Sequence, residues 1–247
     1  MKSLFAALIL SLATTAWASE LSTSGVNQLN ERVQHESQSR YQLARILEAE
    51  ARVSTVRDAL AIKTTGLQYV RDLSDFEFLA IVAIANPSPA YVTAVADFIA
   101  QYVARYTYYV SDVQYLRVLE TRTHTVAQAM AVKRAGLKIA YDIETFLSIL
   151  PFSVPTPSDA YKKEVSAFVA QNIAASLDYN SPIYLILEAE TYALTVQHSM
   201  MVKNAGLVAV HSKADLLDLA QFGVTTPSDA YRLAVDAFIR DNIGRYP

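Results

Sequence analysis

The sequence predicts a mainly α-helical protein made of three tandem units of 70 residues, each with about three helices. Three observations carry this reading. Laid without gaps, residues 41–110, 111–180 and 181–247 share one residue type at twelve positions, where unrelated segments of ordinary composition give about one such triple or fewer. Apolar residues within each unit recur at helical spacing, and helix start and stop signals return at fixed offsets. The period is longer than that of tetratricopeptide, ankyrin, HEAT or armadillo units, at roughly 33 to 47 residues, and their signature residues are absent.

In chain order, Met1-Lys2, the apolar run Leu4 to Leu12 and the small-x-small ending Ala16-Trp17-Ala18 have the form of a secretory signal peptide, with cleavage expected after Ala18. The run is too short for a permanent membrane helix, and no cysteine can carry a lipid anchor after processing. Residues 19–40 are polar except for Leu21, Val26, Leu29 and Val33. They predict an N-terminal extension, either a loosely held helix that runs into the first unit or a frayed tail.

Each unit opens with a helix, clearest in the second copy. Ser111-Asp112 and Ser181-Pro182 read as N-caps, and the apolar spacing through Val113, Leu116, Val126 and Met130 predicts one helix running to Lys133-Arg134-Ala135. Gly66, Gly136 and Gly206 then fall where a left-handed C′ glycine belongs. The five residues that follow, 67–71, 137–141 and 207–211, fit a short strand or an extended linker equally by periodicity. Asp72, Asp142 and Ser212 read as caps of a second, shorter helix, with Asp215 completing the pattern in the third copy. The third helix starts at Thr156-Pro157-Ser158-Asp159 and Thr226-Pro227-Ser228-Asp229, with Thr as cap and Pro at the first helical position. Pro89 replaces the acidic residue in the first copy, so a weaker start is expected there. Tyr161, Val165, Phe168 and Val169 form one buried stripe, which predicts packing of each unit on the next.

Composition narrows the function classes. Loss of Lys2 with the signal peptide leaves 20 basic against 24 acidic residues and moves the net charge from −3 to −4, which argues against a nucleic-acid partner. The longest apolar run beyond the signal peptide, Phe78 to Ala85, falls well short of the roughly 20 residues of a membrane span. An exported chain without cysteine must be stabilised by burial, which an apolar content of 52% permits. The expected location is the periplasm, with the cell exterior second.

No motif supports catalysis or a cofactor. His35, His124, His198 and His211 lie at unrelated places in the period, and no nucleophile elbow, phosphate-binding glycine loop or dinucleotide fingerprint is present. A helix N-terminus at the Thr-Pro-Ser-Asp corner suits an anion, but capping alone explains it. Two sets of side chains stand out as binding candidates. Glu50, Glu120 and Glu190 recur beside the apolar stripe, where a carboxylate needs a partner. They converge on a cation or basic group if the units curve round one axis; otherwise each pairs locally with Lys63, Lys133 or Lys203, a tyrosine hydroxyl or a helix N-terminus, which is the preferred reading. Tyr106, Tyr108 and Tyr109 belong to a tyrosine-dense stretch suited either to a contact surface or to packing between units. The function expected is therefore a non-enzymatic interaction or structural module with a protein or peptide partner. The alternative is a carrier of a small apolar ligand held between helices.

Overall fold

The computed structural model describes the backbone from Thr23 to Pro247 and side chains from Ser37 onward; the signal-peptide reading and the first residues of the extension, 19–22, lie outside the described residues. Among the described residues the chain forms twelve α-helices and no strand. They are α1 Thr23–Glu50, α2 Val56–Gly66, α3 Leu73–Leu79, α4 Pro89–Tyr102, α5 Val113–Thr121, α6 Val126–Gly136, α7 Ile143–Ile149, α8 Asp159–Asn172, α9 Ile183–Glu190, α10 Val196–Gly206, α11 Lys213–Leu219 and α12 Asp229–Asn242. The extension is helical from Thr23 and continues without a break to Glu50 as α1.

The long opening helix expected over 111–135 is instead two, α5 and α6. The break comes from Thr125, which takes an extended backbone (φ −124°, ψ 155°) and accepts a hydrogen bond from the Gln128 N–H. The Gln128 side-chain carbonyl in turn accepts from the N–H groups of Thr125 (3.0 Å) and His124 (2.9 Å). This reciprocal cap satisfies free donors at the start of α6 and outweighs the continuing apolar periodicity. Thr55 and Thr195 cap α2 and α10 through the N–H groups of Asp58 and His198. The resulting turns let α1 fold back on α2, α5 on α6, and α9 on α10.

The glycines are not left-handed. Gly66 (φ −63°) and Gly206 (φ −66°) are helical, and no described glycine has a positive φ. Their role is close approach: a Cβ would meet Leu79 Cδ1 at 2.7 Å in the first case, Ile149 Cγ2 at 2.9 Å for Gly136, and Leu219 Cδ1 at 2.9 Å for Gly206. The absent side chain lets the end of one helix seat against the end of the next helix. Beyond them the expected strand is also absent. Leu67–Tyr69 and Leu207–Ala209 are single 3₁₀ turns, 137–139 form a hydrogen-bonded turn, and Val70 and Val210 are extended before the following cap. Five residues between two caps satisfy their backbone locally and have no partner strand.

Asp72, Asp142 and Ser212 cap α3, α7 and α11 as expected, each accepting from the N–H three residues on. The later helices start two residues after the expected point. Ser88, Ser158 and Ser228, not the Asn or Thr before the proline, are the N-caps, each accepting from a tyrosine N–H at 3.2 Å. Pro89 therefore stands at N1 of α4, where its ring suits the first turn, and that helix is capped as the others are.

Packing runs in series. Helix α3 lies on α5 and α7 on α9, while α4 lies on α6 and α8 on α10. One continuous apolar cluster results, with Phe76 stacked on Phe98 at 5.7 Å and Phe146 on Phe168 at 6.1 Å. No described helix is long and apolar enough to cross a membrane.

Candidate functional site

Each of the three repeated glutamates is buried and paired locally. Glu120, at the end of α5, meets Lys133 of α6 with Nζ 3.1 Å from Oε2. Its Oε1 accepts from the Tyr161 hydroxyl of α8 at 2.7 Å and from the Ser153 N–H at 3.0 Å. Lys133 Nζ also donates to the carbonyls of Ile149, Leu150 and Pro151 at 3.0, 3.1 and 3.0 Å, closing the C-terminal end of α7. One polar cluster thus ties four helices together: the carboxylate comes from α5, the ammonium from α6, the carbonyls from α7 and the phenol from α8.

The arrangement recurs at the other glutamates. Lys63 Nζ lies 2.7 Å from Glu50 Oε2 and donates to the carbonyls of Leu79 and Ile81, and Tyr91 donates to Glu50 Oε1, which also accepts from the Ala83 N–H. Lys203 Nζ lies 2.9 Å from Glu190 Oε2 and donates to the carbonyls of Leu219 and Gln221. In this third cluster the Tyr231 hydroxyl and Glu190 Oε1 are buried without a hydrogen-bond partner among the described residues.

The electrostatics follow from burial. Desolvation pushes the ammonium groups of Lys63, Lys133 and Lys203 down from their ordinary value, with the adjoining carboxylates opposing it. Burial, with the hydrogen bond to a carboxylate second, drives the phenols of Tyr91 and Tyr161 far above the ordinary tyrosine value. Glu190 is raised by burial, against the pull of Lys203. At Glu50 and Glu120 an ammonium, a phenol and a backbone N–H already occupy the carboxylate, whereas at Glu190 the ammonium meets Oε2 and Oε1 has no hydrogen-bond partner among the described residues. These clusters act as internal fasteners.

The tyrosine candidates separate. Tyr106 is only 4% exposed; its ring stacks on Phe76 at 5.3 Å and its hydroxyl donates to the Leu67 carbonyl, so it is a core residue and no part of a surface. Tyr108 and Tyr109 are exposed in the turn before α5, held there by Asp112, whose carboxylate accepts both of their N–H groups at 2.8 and 2.9 Å. Lys138 lies over the Tyr108 ring at 4.9 Å.

A groove of about 620 Å³ opens between α9 and α11 and the loop before α9. Tyr179, Tyr184, Leu187, His211, Asp215 and Asp218 are among the residues that line it. His211 is set against Tyr179, with ring centroids 3.7 Å apart and Nε2 donating to the Tyr179 carbonyl at 2.8 Å. Asp215 accepts from the His211 N–H at 3.0 Å, and Asp218 from Gln221 Nε2 at 3.0 Å. Among the described residues no cation pairs with either carboxylate, and no cluster of three or more metal-ligating side chains occurs. The sequence held no signal for this groove, because its lining is drawn from a loop and two helices whose residues are not periodic. No protein family matches the chain, and neither a curated protein nor a solved structure is found that resembles it.

Proposed function

We propose that this chain is an exported, non-enzymatic array of three copies of one four-helix unit, and that it binds a protein or peptide along an exposed tyrosine-bearing edge. The array reading is supported by helix limits that return at a 70-residue offset, such as Val56–Gly66, Val126–Gly136 and Val196–Gly206. It is supported further by the recurring glutamate–lysine cluster and by the repeated order of packing. A serial array exposes a long edge in proportion to its length, which suits an extended partner.

The binding reading rests on one observation. Tyr109 and Tyr179, which share a register position, are each 64% exposed, and Tyr108, Tyr141 and Tyr184 are also more than half exposed. Rings this exposed bury little area within the fold, whereas on association they bury large area at little entropic cost. The mixed lining of the α9–α11 groove suits a peptide better than a small apolar ligand.

The test is a peptide-display selection on the chain from Ser19 to Pro247, followed by measurement of the selected peptides against a Tyr109→Ser/Tyr141→Ser/Tyr184→Ser variant. Loss of binding by the folded variant is expected. Unchanged binding would reject the edge. Native mass spectrometry of the protein from its own host, if it finds a retained small molecule, would replace the reading by that of a carrier.

A further inference from the structure

We propose that the α9–α11 groove is a receptor for an arginine side chain presented by a peptide or protein partner, with Asp215 as the anion that receives the guanidinium. The proposal rests on the interaction reading above and adds the chemistry of the partner.

Asp75 of α3 occupies the register position that Asp215 occupies in α11. Asp75 is 1% exposed and takes two guanidinium groups: Arg40 Nε at 3.0 Å from Oδ1, and Arg71 Nε at 3.1 Å from Oδ2. Arg40 also lies over the Phe78 ring at 5.0 Å and donates to Ser74. In the middle segment Thr145 stands at this register position, and Arg117 donates through Nε and Nη2 to the Ser148 carbonyl of the same helix, α7. The chain thus supplies its own guanidinium groups to the carboxylate of α3 and to a carbonyl of α7.

In the third segment it supplies none. The register positions of Arg40, Arg71 and Arg117 are held by Asn180, His211 and Leu187. Asp215 keeps the carboxylate that α3 uses, and Asp218, one helical turn on, adds a second at the position of Ser148. What stands in place of the missing arginine is open space of about 620 Å³. Tyr179 and Tyr184, 64% and 67% exposed, border it, and His211 fixes the Tyr179 ring as a flat wall. A planar cation between aromatic faces with two carboxylates ahead of it is the environment in which guanidinium is preferred over ammonium, because it stacks and forks while lysine does neither.

The experiment is a titration of acetyl-Gly-Arg-Gly-amide into isotopically labelled protein, followed by amide chemical shifts, with citrulline and lysine counterparts as probes of charge and shape. The arginine peptide is expected to shift Tyr179, Tyr184, His211 and Asp215. The citrulline peptide, equal in shape but uncharged, should leave them unmoved, and the lysine peptide should bind more weakly. Asp215→Asn should weaken the arginine peptide by about tenfold or more. Leu187→Arg restores the arginine of the middle segment and should close the groove to the peptide while keeping the protein folded, which covers the case of an Asp215 variant that does not fold. Equal shifts from arginine and citrulline, or shifts confined to other helices, would overturn the proposal. If display-selected peptides bind the tyrosine edge yet are indifferent to both substitutions, the arginine assignment falls and the interaction reading stands; if no peptide of either kind binds, both fall.

Discussion

Replacing Lys133 by Met keeps the aliphatic stem in place and removes only the ammonium, so it isolates the worth of the buried cluster. The residue is 2% exposed, and its loss leaves the carbonyls of Ile149, Leu150 and Pro151 without this donor and Glu120 Oε2 with only the Ser153 hydroxyl, at 3.2 Å. Breaking a buried pair by removing one partner costs about 3–5 kcal/mol. Part of that loss is offset here, because Glu120 keeps the Tyr161 hydroxyl and the Ser153 N–H. We therefore expect Lys133→Met to lower stability by about 3 kcal/mol, a large fraction of the 5–15 kcal/mol typical of a domain. Adding Glu120→Gln removes the stranded charge and offers a new amide donor to the carbonyls, so the double variant should be less destabilised than the sum of the single variants by about 1–3 kcal/mol. Urea denaturation of the four proteins, compared at matched m-values, measures this coupling. A single-variant loss below about 1 kcal/mol, or strict additivity, would refute the view that the cluster fastens the four helices.

Three further outcomes are expected. Gly136→Ala gains about 1 kcal/mol of helix propensity, but the new methyl meets the branched Cγ2 of Ile149 at 2.9 Å and its Cβ at 3.3 Å. A net destabilisation relieved by Ile149→Ala is expected in thermal melts, and a loss that Ile149→Ala fails to relieve would speak against the packing role. Ser158→Ala should cost about 1 kcal/mol while Thr156→Ala stays within about 0.5 kcal/mol, because the cap of α8 is the serine; equal costs in urea melts would contradict that assignment. Tyr91 and Tyr161 keep their protons in the folded state where the unfolded chain ionises near pH 10, so the stability they contribute is present below about pH 10 and falls as pH rises above it. A phenolate absorbance titration should show these tyrosines lagging until unfolding, and Tyr91→Phe/Tyr161→Phe should flatten the alkaline loss of melting temperature.

What could be read in the sequence was local or periodic. The helical class, the caps at Asp72, Asp142 and Ser212, and the glutamates as carboxylates needing partners all follow from interactions within a few residues or from a fixed spacing. The 70-residue offset likewise marked Lys63, Lys133 and Lys203 and the tyrosines Tyr91, Tyr161 and Tyr231 as positions of one kind. Two readings failed although their signals were present: Thr125 and Gln128 spell a capping box inside an apolar pattern that looked continuous, and Ser158 competes with Thr156 for the same cap. Backbone donors at a helix start choose between such neighbours by fractions of a kcal/mol, which pattern alone does not resolve.

Tertiary structure decided the rest, because it depends on which surfaces meet. The glycines are small to admit Leu79, Ile149 and Leu219, a demand set by helices that share no local sequence with them. Tyr106 is core rather than surface because Phe76 lies across it. Glu120, Lys133 and Tyr161 become one cluster only when chain separations of 13 and 41 residues are closed by packing. The open groove beside Asp215 is lined by Asn180, Leu187 and His211, at register positions that hold arginine elsewhere in the chain, and only folding brings these three to one place.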